Sequence, residues 1–374
     1  MTRPSTSPLH RWPHTRLPAA LGVRHPIIQG PFGSGLSSLE LAAAISNAGG
    51  LGSFGVHHLT PAEIVTTIED LRRRTAEPFA VNLWVSTHDV PENEMTRERW
   101  AAAVDRLRPL YEELGAEPPA RPERFSPTFA EQVEAVLAAR PPVFSWCYGI
   151  PEPGVLDALR ERGVATIGTA ITADEAVALD EAGVDVIVAS GAEAGGHRVA
   201  FLDEPERSLV GTMALVPVVA DDVAAPVVAA GGIADARGIV AALALGAEGV
   251  QIGTAFLATD QSGAPQAHRD ALHGPEARRT CLTRAFTGRL ARGIPNRMVD
   301  EFGRGDARVA PFPYQAHLVR PLRDAALAQG RTDVLALWAG QAAPLLRERD
   351  AVSLLHTLLA EAGELLTTAT QEPA

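Results

Sequence analysis

Val184-Asp185-Val186-Ile187-Val188-Ala189-Ser190-Gly191-Ala192-Glu193-Ala194-Gly195-Gly196-His197-Arg198 runs from an apolar stretch into a loop with three glycines and one histidine. An almost unbroken apolar run of this length reads as a strand buried on both faces, the state of parallel strands covered by helices. Glycines in the loop let the backbone take left-handed angles or approach a flat ligand closely. A histidine held there has a pKa suited to proton transfer near neutrality. The plain alternative is a loop histidine that faces only solvent.

The same strand-then-helix rhythm repeats on both sides of this stretch. Strands are expected over residues 26–31, 50–55, 79–85, 143–148, 165–169, 184–188, 226–232 and 249–256. Between them lie helix starts with a mechanism. Ser37 can cap with Glu40 three residues on, Thr60-Pro61-Ala62-Glu63 combines a capping Thr, a proline at the first helical position and a capping Glu, and Thr172-Ala173-Asp174-Glu175 repeats the box. Asp235 caps a helix that Gly246 stops. Eight strands alternating with helices imply an α/β fold, a closed (β/α)8 TIM barrel. A doubly wound open sheet competes, but no G-x-G-x-x-G follows the first strand.

The rhythm breaks at residues 88–125, which hold a charged helical stretch and a proline-rich loop, and again after residue 260. We therefore expect a barrel from residues 21–87, 126–260 and about 331–374, the last part adding C-terminal helices. Residues 88–125 and 261–330 would form a smaller covering domain, and residues 1–20 a ragged tail.

The 374 residues are 46% hydrophobic and 21% charged, a composition that supports a sizeable core. A net charge of -12 argues against nucleic acid and against an anionic membrane surface. Two distant cysteines, Cys147 and Cys281, supply neither a disulfide framework nor metal spacing, and no stretch reaches membrane-spanning length. A cytoplasmic protein is expected, without metal, as monomer or homodimer.

Barrel chemistry sits in the loops after the strands' C-terminal ends. The notable residues gather there: Gln29-Gly30-Pro31-Phe32-Gly33, Asn82, the Gly195-Gly196-His197 loop, Gly231-Gly232 and Gly253-Thr254. Loops after strands seven and eight often hold a phosphate. Gly231-Gly232 leads into the Asp235-capped helix, and Thr254 adds a hydroxyl donor, so a phosphate-bearing flavin, FMN, fits the pattern. Asn82 and Gln251 could meet its ring or ribityl chain, or be ordinary polar residues of the barrel interior. Glu193 reads as a brace for its loop. His57 and His58 are adjacent and make a poor metal pair, though one could line the barrel mouth; Tyr314 could reach substrate but reads as a packed aromatic. Arg292 and Arg297 could attract an anion or lie on a solvated face.

Taken together, these segments resemble the nitronate monooxygenases, formerly called 2-nitropropane dioxygenases. The matching stretches are Ile28-Gln29-Gly30-Pro31-Phe32-Gly33, Gly50-Leu51-Gly52, Asn82, residues 191–197, Ala229-Ala230-Gly231-Gly232-Ile233 and Gly249-Val250-Gln251-Ile252-Gly253-Thr254. Arg284-Ala285-Phe286-Thr287-Gly288-Arg289-Leu290-Ala291-Arg292-Gly293 and Leu337-Trp338-Ala339-Gly340-Gln341 extend the likeness to about residue 341. The resemblance implies FMN-dependent oxidation of alkyl nitronates, and of nitroalkanes, by O2 to carbonyl compounds and nitrite. It implies that Asn82, Ser190, Gly195, Gly232, Gln251 and Thr254 contact FMN, that residues 337–341, with Trp338, Gly340 and Gln341, return to the site, and that His197 is the catalytic base. Many members carry Gln where Ser190 stands. Gly196 and the Gln29–Gly33 stretch complete the expected cofactor contacts. Two rival readings are a flavin-dependent enoyl-thioester reductase, which has a similar Glu-Ala-Gly-Gly-His loop, and a non-catalytic flavin-binding protein.

Overall fold

The computed structural model describes residues 7–86, 95–303 and 309–370. Two short helices, α1 (Pro8–Arg11) and α2 (Arg16–Leu21), lead into β1 (Ile27–Gln29), α3 (Leu39–Asn47), β2 (Gly52–Gly55), α4 (Pro61–Arg74) and β3 (Phe79–Trp84). Next come α5 (Arg97–Leu114), α6 (Phe129–Ala139), β4 (Val143–Cys147), α7 (Pro153–Glu161), β5 (Ala165–Ala170), α8 (Ala173–Glu181) and β6 (Val186–Ser190). A two-residue strand, β7 (Gly196–His197), precedes α9 (Thr212–Asp222), β8 (Val227–Ala230), α10 (Ala236–Ala244) and β9 (Gly249–Ile252). The C-terminal part holds α11 (Thr254–Leu257), α12 (Gln266–His273), β10 (Cys281–Thr283), β11 (Ala291–Gly293), α13 (Arg297–Phe302), α14 (Tyr314–Ala328) and α15 (Ala351–Thr370).

The eight expected strands form one parallel sheet in the order β1-β9-β8-β6-β5-β4-β3-β2. A single bridge between Ile28 and Leu51 joins its two ends, so the barrel is nearly closed. Alternation along each strand sorts the residues. On β3, Phe79, Val81 and Leu83 pack outward in the helix-covered core, while Ala80 joins the apolar cluster inside the barrel with Ile28, Val143, Val186 and Val228. Continuing inward-facing positions toward the C-terminal ends gives Asn82, Ser145, Ser190 and Gln251. The interior thus changes from apolar to polar just below the mouth.

Local signals held where one hydrogen bond decides them. Thr60 closes its full capping box with Glu63, and Asp235 accepts from the Arg237 and Gly238 amides; Thr128 with Glu131 closes a further box that was not among the expected ones. Three expectations change. Ser38, not Ser37, caps α3; the Ser37 hydroxyl instead ties the loop after β1 by bonding both backbone groups of Phe32 and the Gly55 amide. Glu175 does not reach back to Thr172: its buried carboxylate accepts from the amides of Ile171, Phe201 and Leu202, pinning the chain that follows the glycine-histidine loop. The last barrel strand stops at Ile252, and Thr254 begins a helical turn.

The N-terminal segment is not a tail over residues 7–20. Leu17 and Leu21, one turn apart on α2, are buried in the interior cluster at the barrel's N-terminal end. Glu248 holds the segment there, taking ion pairs from Arg11 and Arg16 and the Arg16 amide, while the Thr15 hydroxyl donates to its carbonyl. A six-residue helix is too short to show a hydrophobic period, which is why the sequence conceals it.

A second apolar cluster gathers residues of α5, including Trp100, Leu107 and Tyr111, with Phe125, Leu257, Phe286, Met298, Tyr314 and Leu322. Part of the stretch expected as an insertion, residues 88–94, lies outside the described residues. α15 packs in the main core through Ala351, Leu354, Leu355, Leu358 and Ala362. Among the described residues, no helix is long and apolar enough to cross a membrane, and no group of three acidic, His or Cys side chains could hold a metal.

Candidate active site

The polar upper layer of the barrel interior opens into a cavity at the C-terminal ends of the strands. Gly30, Pro31, Phe32 and Gly33 after β1 form one wall. Asn82, Ser190 and Gln251 form the floor with Cys147 and Thr169. Gly231 and Gly232 after β8, then Gly253 and Thr254 after β9, form the next wall. Gly195, Gly196 and His197 close the ring with Trp338 and Gly340. Sixteen expected residues meet here from stretches far apart in sequence.

Gln29 and Gln341 do not line the cavity. Ile28 points into the barrel, so Gln29 points the other way; its amide accepts from the Ser53 N–H and donates to the Gly30 carbonyl, stiffening the turn. Gln341 is exposed and contributes its backbone, the amide donating to Glu193 O at 2.9 Å.

Two glycines owe their identity to backbone conformation: Gly231 and Gly232 have φ of +98° and +71°, a left-handed pair that other residues resist. Gly195 has a different reason. A Cβ there would lie 2.5 Å from the Gly340 amide nitrogen and 2.6 Å from the Ala339 carbonyl carbon. Its bareness lets the returning segment press in, and the Gly340 N–H donates to Thr254 Oγ1 at 2.9 Å. Gly196 (φ +76°) meets nothing within 4 Å of its missing side chain, and Gly253 meets only the Phe32 ring at 3.9 Å.

His197 is fixed by tertiary contacts. β7 pairs antiparallel with β11, which pairs with β10, a three-stranded sheet that no sequence pattern announced. Nε2 lies 2.9 Å from Thr287 Oγ1. Trp84 meets the imidazole edge to face at 5.1 Å, and Trp338 lies tilted against it at 5.4 Å. Burial, then the positive charge of Arg289, push its pKa down to about 3, so the ring is neutral at physiological pH. Arg289 stacks on Tyr148 (3.8 Å) and Phe312 (4.0 Å) and donates to Ser86 Oγ at 3.0 Å.

His57 lines the same cavity, stacked on Trp84 at 3.8 Å with ring planes 7° apart; burial, then His58, His197 and Arg289, hold its pKa well below the usual imidazole value. His58 is exposed and outside the cavity. Tyr314 is fully buried against Phe125. Glu193 braces its loop by accepting from the Thr212 amide and hydroxyl. Arg292 is buried and donates to Ala192 O, while Arg297 joins a surface network with Glu113, Glu301 and Asp333. Neither arginine lines the cavity.

Trp84 and Thr287 also shape the site, and neither is among the residues expected from the sequence. Trp84 was within reach, since it lies two residues after Asn82 on β3 and so shares its face. Thr287 was not: it stands ninety positions from its partner.

The chain as a whole has known counterparts. The nitronate monooxygenase family model matches residues 14–361. A nitronate monooxygenase of Pseudomonas aeruginosa is 44% identical over 352 residues, covering 92% of this chain and 98% of its own. Among solved structures, nitroalkane oxidase from Streptomyces ansochromogenes matches with a TM-score of 0.86 at 38% identity, over 94% of this chain and all of its own. FabK from Thermotoga maritima matches at 0.73 and 28% identity, over 95% and 98% of the two chains. The glycine walls, the amide floor and the clamped histidine therefore sit in a chain whose likeness runs nearly end to end, and the protein belongs to the nitronate monooxygenase family.

Proposed function

We propose that this protein oxidises alkyl nitronates, and nitroalkanes after their deprotonation, with O2 to carbonyl compounds and nitrite, using FMN held in the barrel mouth. The observation that carries the reading is His197: a neutral imidazole, fixed by Thr287, on the wall of a cavity lined by glycine and amides.

The residues present fit a flavin. A Cβ at Gly196 would project into open space and one at Gly253 would meet only the Phe32 ring, which leaves room for a flat ring against bare backbone. Asn82 and Gln251 offer amides from the floor, and Ser190 a shorter donor beside them. The left-handed Gly231-Gly232 pair opens its backbone toward a phosphate, and the Thr254 hydroxyl, which accepts from Gly340, keeps its own proton to donate. FMN, when bound, supplies the electron chemistry that the side chains lack. The second apolar cluster, with α14, would cover the ring and keep bulk water from it.

His197 does the proton work. In the tautomer where Nε2–H donates to Thr287 Oγ1, whose own proton has the Arg289 carbonyl 3.4 Å away as acceptor, Nδ1 is the basic nitrogen. Nδ1 takes the proton from the carbon beside a nitro group, or holds an arriving nitronate. A low pKa makes the imidazole by itself a weak base, but an anion beside the ring raises it, because opposite charge stabilises imidazolium. Arg289 adds a fixed positive field that favours the same anion.

Nitrite release from a nitronate by the flavin-loaded protein under air is the test, with bleaching of its visible spectrum when the nitronate is added under argon. His197→Asn should keep flavin and lose at least a hundredfold in kcat/KM for neutral nitroalkanes. Unchanged rates would remove His197 from the mechanism. Consumption of NADH or NADPH by an enoyl thioester, without nitronate turnover, would turn the assignment to an enoyl-thioester reductase.

A further inference from the structure

His57 is a second imidazole in the wall of the cavity, and the proton work assigned to His197 leaves it without a task. It stands two residues after β2 and is held firmly. The Val56 N–H donates to the Asn82 carbonyl at 2.9 Å, which lays this loop against β3. Gln132 Nε2, from α6, donates to the His57 carbonyl at 2.9 Å and to the Leu59 carbonyl at 2.8 Å. The ring lies flat on Trp84, and its edge fills the space that a side chain at residue 33 would need: a Cβ on Gly33 would come within 2.8 Å of Nε2.

Packing alone does not account for an imidazole here. Phenylalanine would stack on Trp84 as well and would bury no polar atom. Nδ1 of His57 is shut off from solvent and has no hydrogen-bond partner among the described residues, a state that costs free energy unless a ligand supplies the partner. By contrast, His197, His268 and His317 each place Nε2 against a protein oxygen, of Thr287, Trp338 and Phe125. The groups that act on the His57 ring, His58, His197 and Arg289, all oppose a positive charge on it, and none is a carboxylate. The ring is therefore neutral and carries one N–H. Three nitrogen-bearing groups meet on Trp84: His57 on its face, His197 at its edge, and the Arg289 guanidinium 5.0 Å from its centre. Such a cluster suits a group on which negative charge is growing.

From the nitronate reading, on which this rests, we infer that His57 is a further catalytic residue: its N–H donates to a nitro oxygen while His197 takes the proton from the adjoining carbon. The carbon–hydrogen bond breaks, its electron pair becomes the carbon–nitrogen double bond, and the charge arrives on the two nitro oxygens. His57 keeps its own proton throughout. For a neutral nitroalkane the contact strengthens as the reaction proceeds, whereas a nitronate meets it fully charged from the start.

The test uses His57→Phe, which keeps the stack and removes the donor, and His57→Gln, which restores a donor, each loaded with FMN and checked by thermal melting. Nitroethane should lose about a hundredfold in kcat/KM in the Phe variant, the lower end for loss of one preorganised donor, and the Gln variant should recover most of it. With preformed ethylnitronate the Phe variant should raise KM about tenfold and leave kcat within about twofold, the mark of a contact equally strong in the bound and reacting states. Nitrate, planar and negative like the nitronate head, gives a readout without turnover. Titrated against the visible flavin spectrum, it should bind the Phe variant about tenfold more weakly than the wild type. Affinity for FMN itself should be the same in all three proteins. Unchanged nitroethane turnover and nitrate affinity in a folded Phe variant, or a loss that a folded Gln variant does not recover, makes His57 a packing ring and overturns the inference. Weaker FMN binding with equal losses on nitroethane and nitronate puts the ring against the cofactor and overturns it too. A wild type that releases no nitrite from any nitronate overturns the activity reading instead, and nitrate affinity then decides alone whether His57 faces an anion.

Discussion

Acid should cost this protein stability through His197, and the amount follows from its surroundings. The imidazole titrates near 6.5 in an unfolded chain and near 3 in the folded one, because burial and Arg289 oppose its charge. Below 6.5 the unfolded chain gains a proton that the folded one refuses, so stability is complete above that pH and falls as pH drops toward 3. Between pH 6.5 and 5 the unfolded ring goes from about half to almost fully protonated, which integrates to about 1.6 kcal/mol. Part of the His197 surface opens on the cavity, and water there trims the figure to about 1 kcal/mol. His57 and His268 also have lowered pKa values from burial, so the wild type alone would show a steeper loss. The difference between wild type and His197→Asn isolates the one residue. Urea titrations of both proteins at pH 6.5 and pH 5 should show the variant losing about 1 kcal/mol less. Parallel losses would mean that His197 is charged or well hydrated in the folded protein, and the account of a neutral imidazole would fall.

Other outcomes follow from single contacts. Leu17→Ala should cost about 3 kcal/mol in urea unfolding, because Leu17 is fully buried where α2 closes the barrel; a loss under 0.5 kcal/mol would return the segment to a surface tail. Gly195→Ala should push residues 339–340 away from the loop, since the atoms its Cβ meets are backbone. Destabilisation of about 1–3 kcal/mol and a shifted tryptophan emission from Trp338 would report it, and neither change would mean the segment is not pressed against the loop. Thr287→Val removes the partner of Nε2, and kcat with a nitronate should fall about tenfold at unchanged flavin content, near the worth of one well-placed hydrogen bond; an unchanged kcat would leave Thr287 without a part in orienting the ring.

The barrel was legible in the sequence because its determinants are local. Parallel strands buried on both faces appear as apolar runs such as residues 184–188, and capping boxes such as Thr60 with Glu63 need four consecutive residues. Strand-end glycines and the position of His197 were legible for the same reason, as was the polar layer, once alternation along each strand is followed. Local pattern failed where a side chain answers to a distant partner. Ser37 lost its cap to Ser38 because Phe32 and Gly55 compete for its hydroxyl. Glu175 left Thr172 for amides across a loop. Only the folded chain brings Thr287 to His197, turns Gly195 from a flexible joint into a packing space for residues 339–340, and lays the arginines of α14 along a groove that starts beside the reacting ring. Strand and cap signals are settled within a few bonds along the backbone, whereas these contacts exist only after long loop closures, 90 residues from His197 to Thr287 and 145 from Gly195 to Gly340, and the chain order carries no record of which closures will meet.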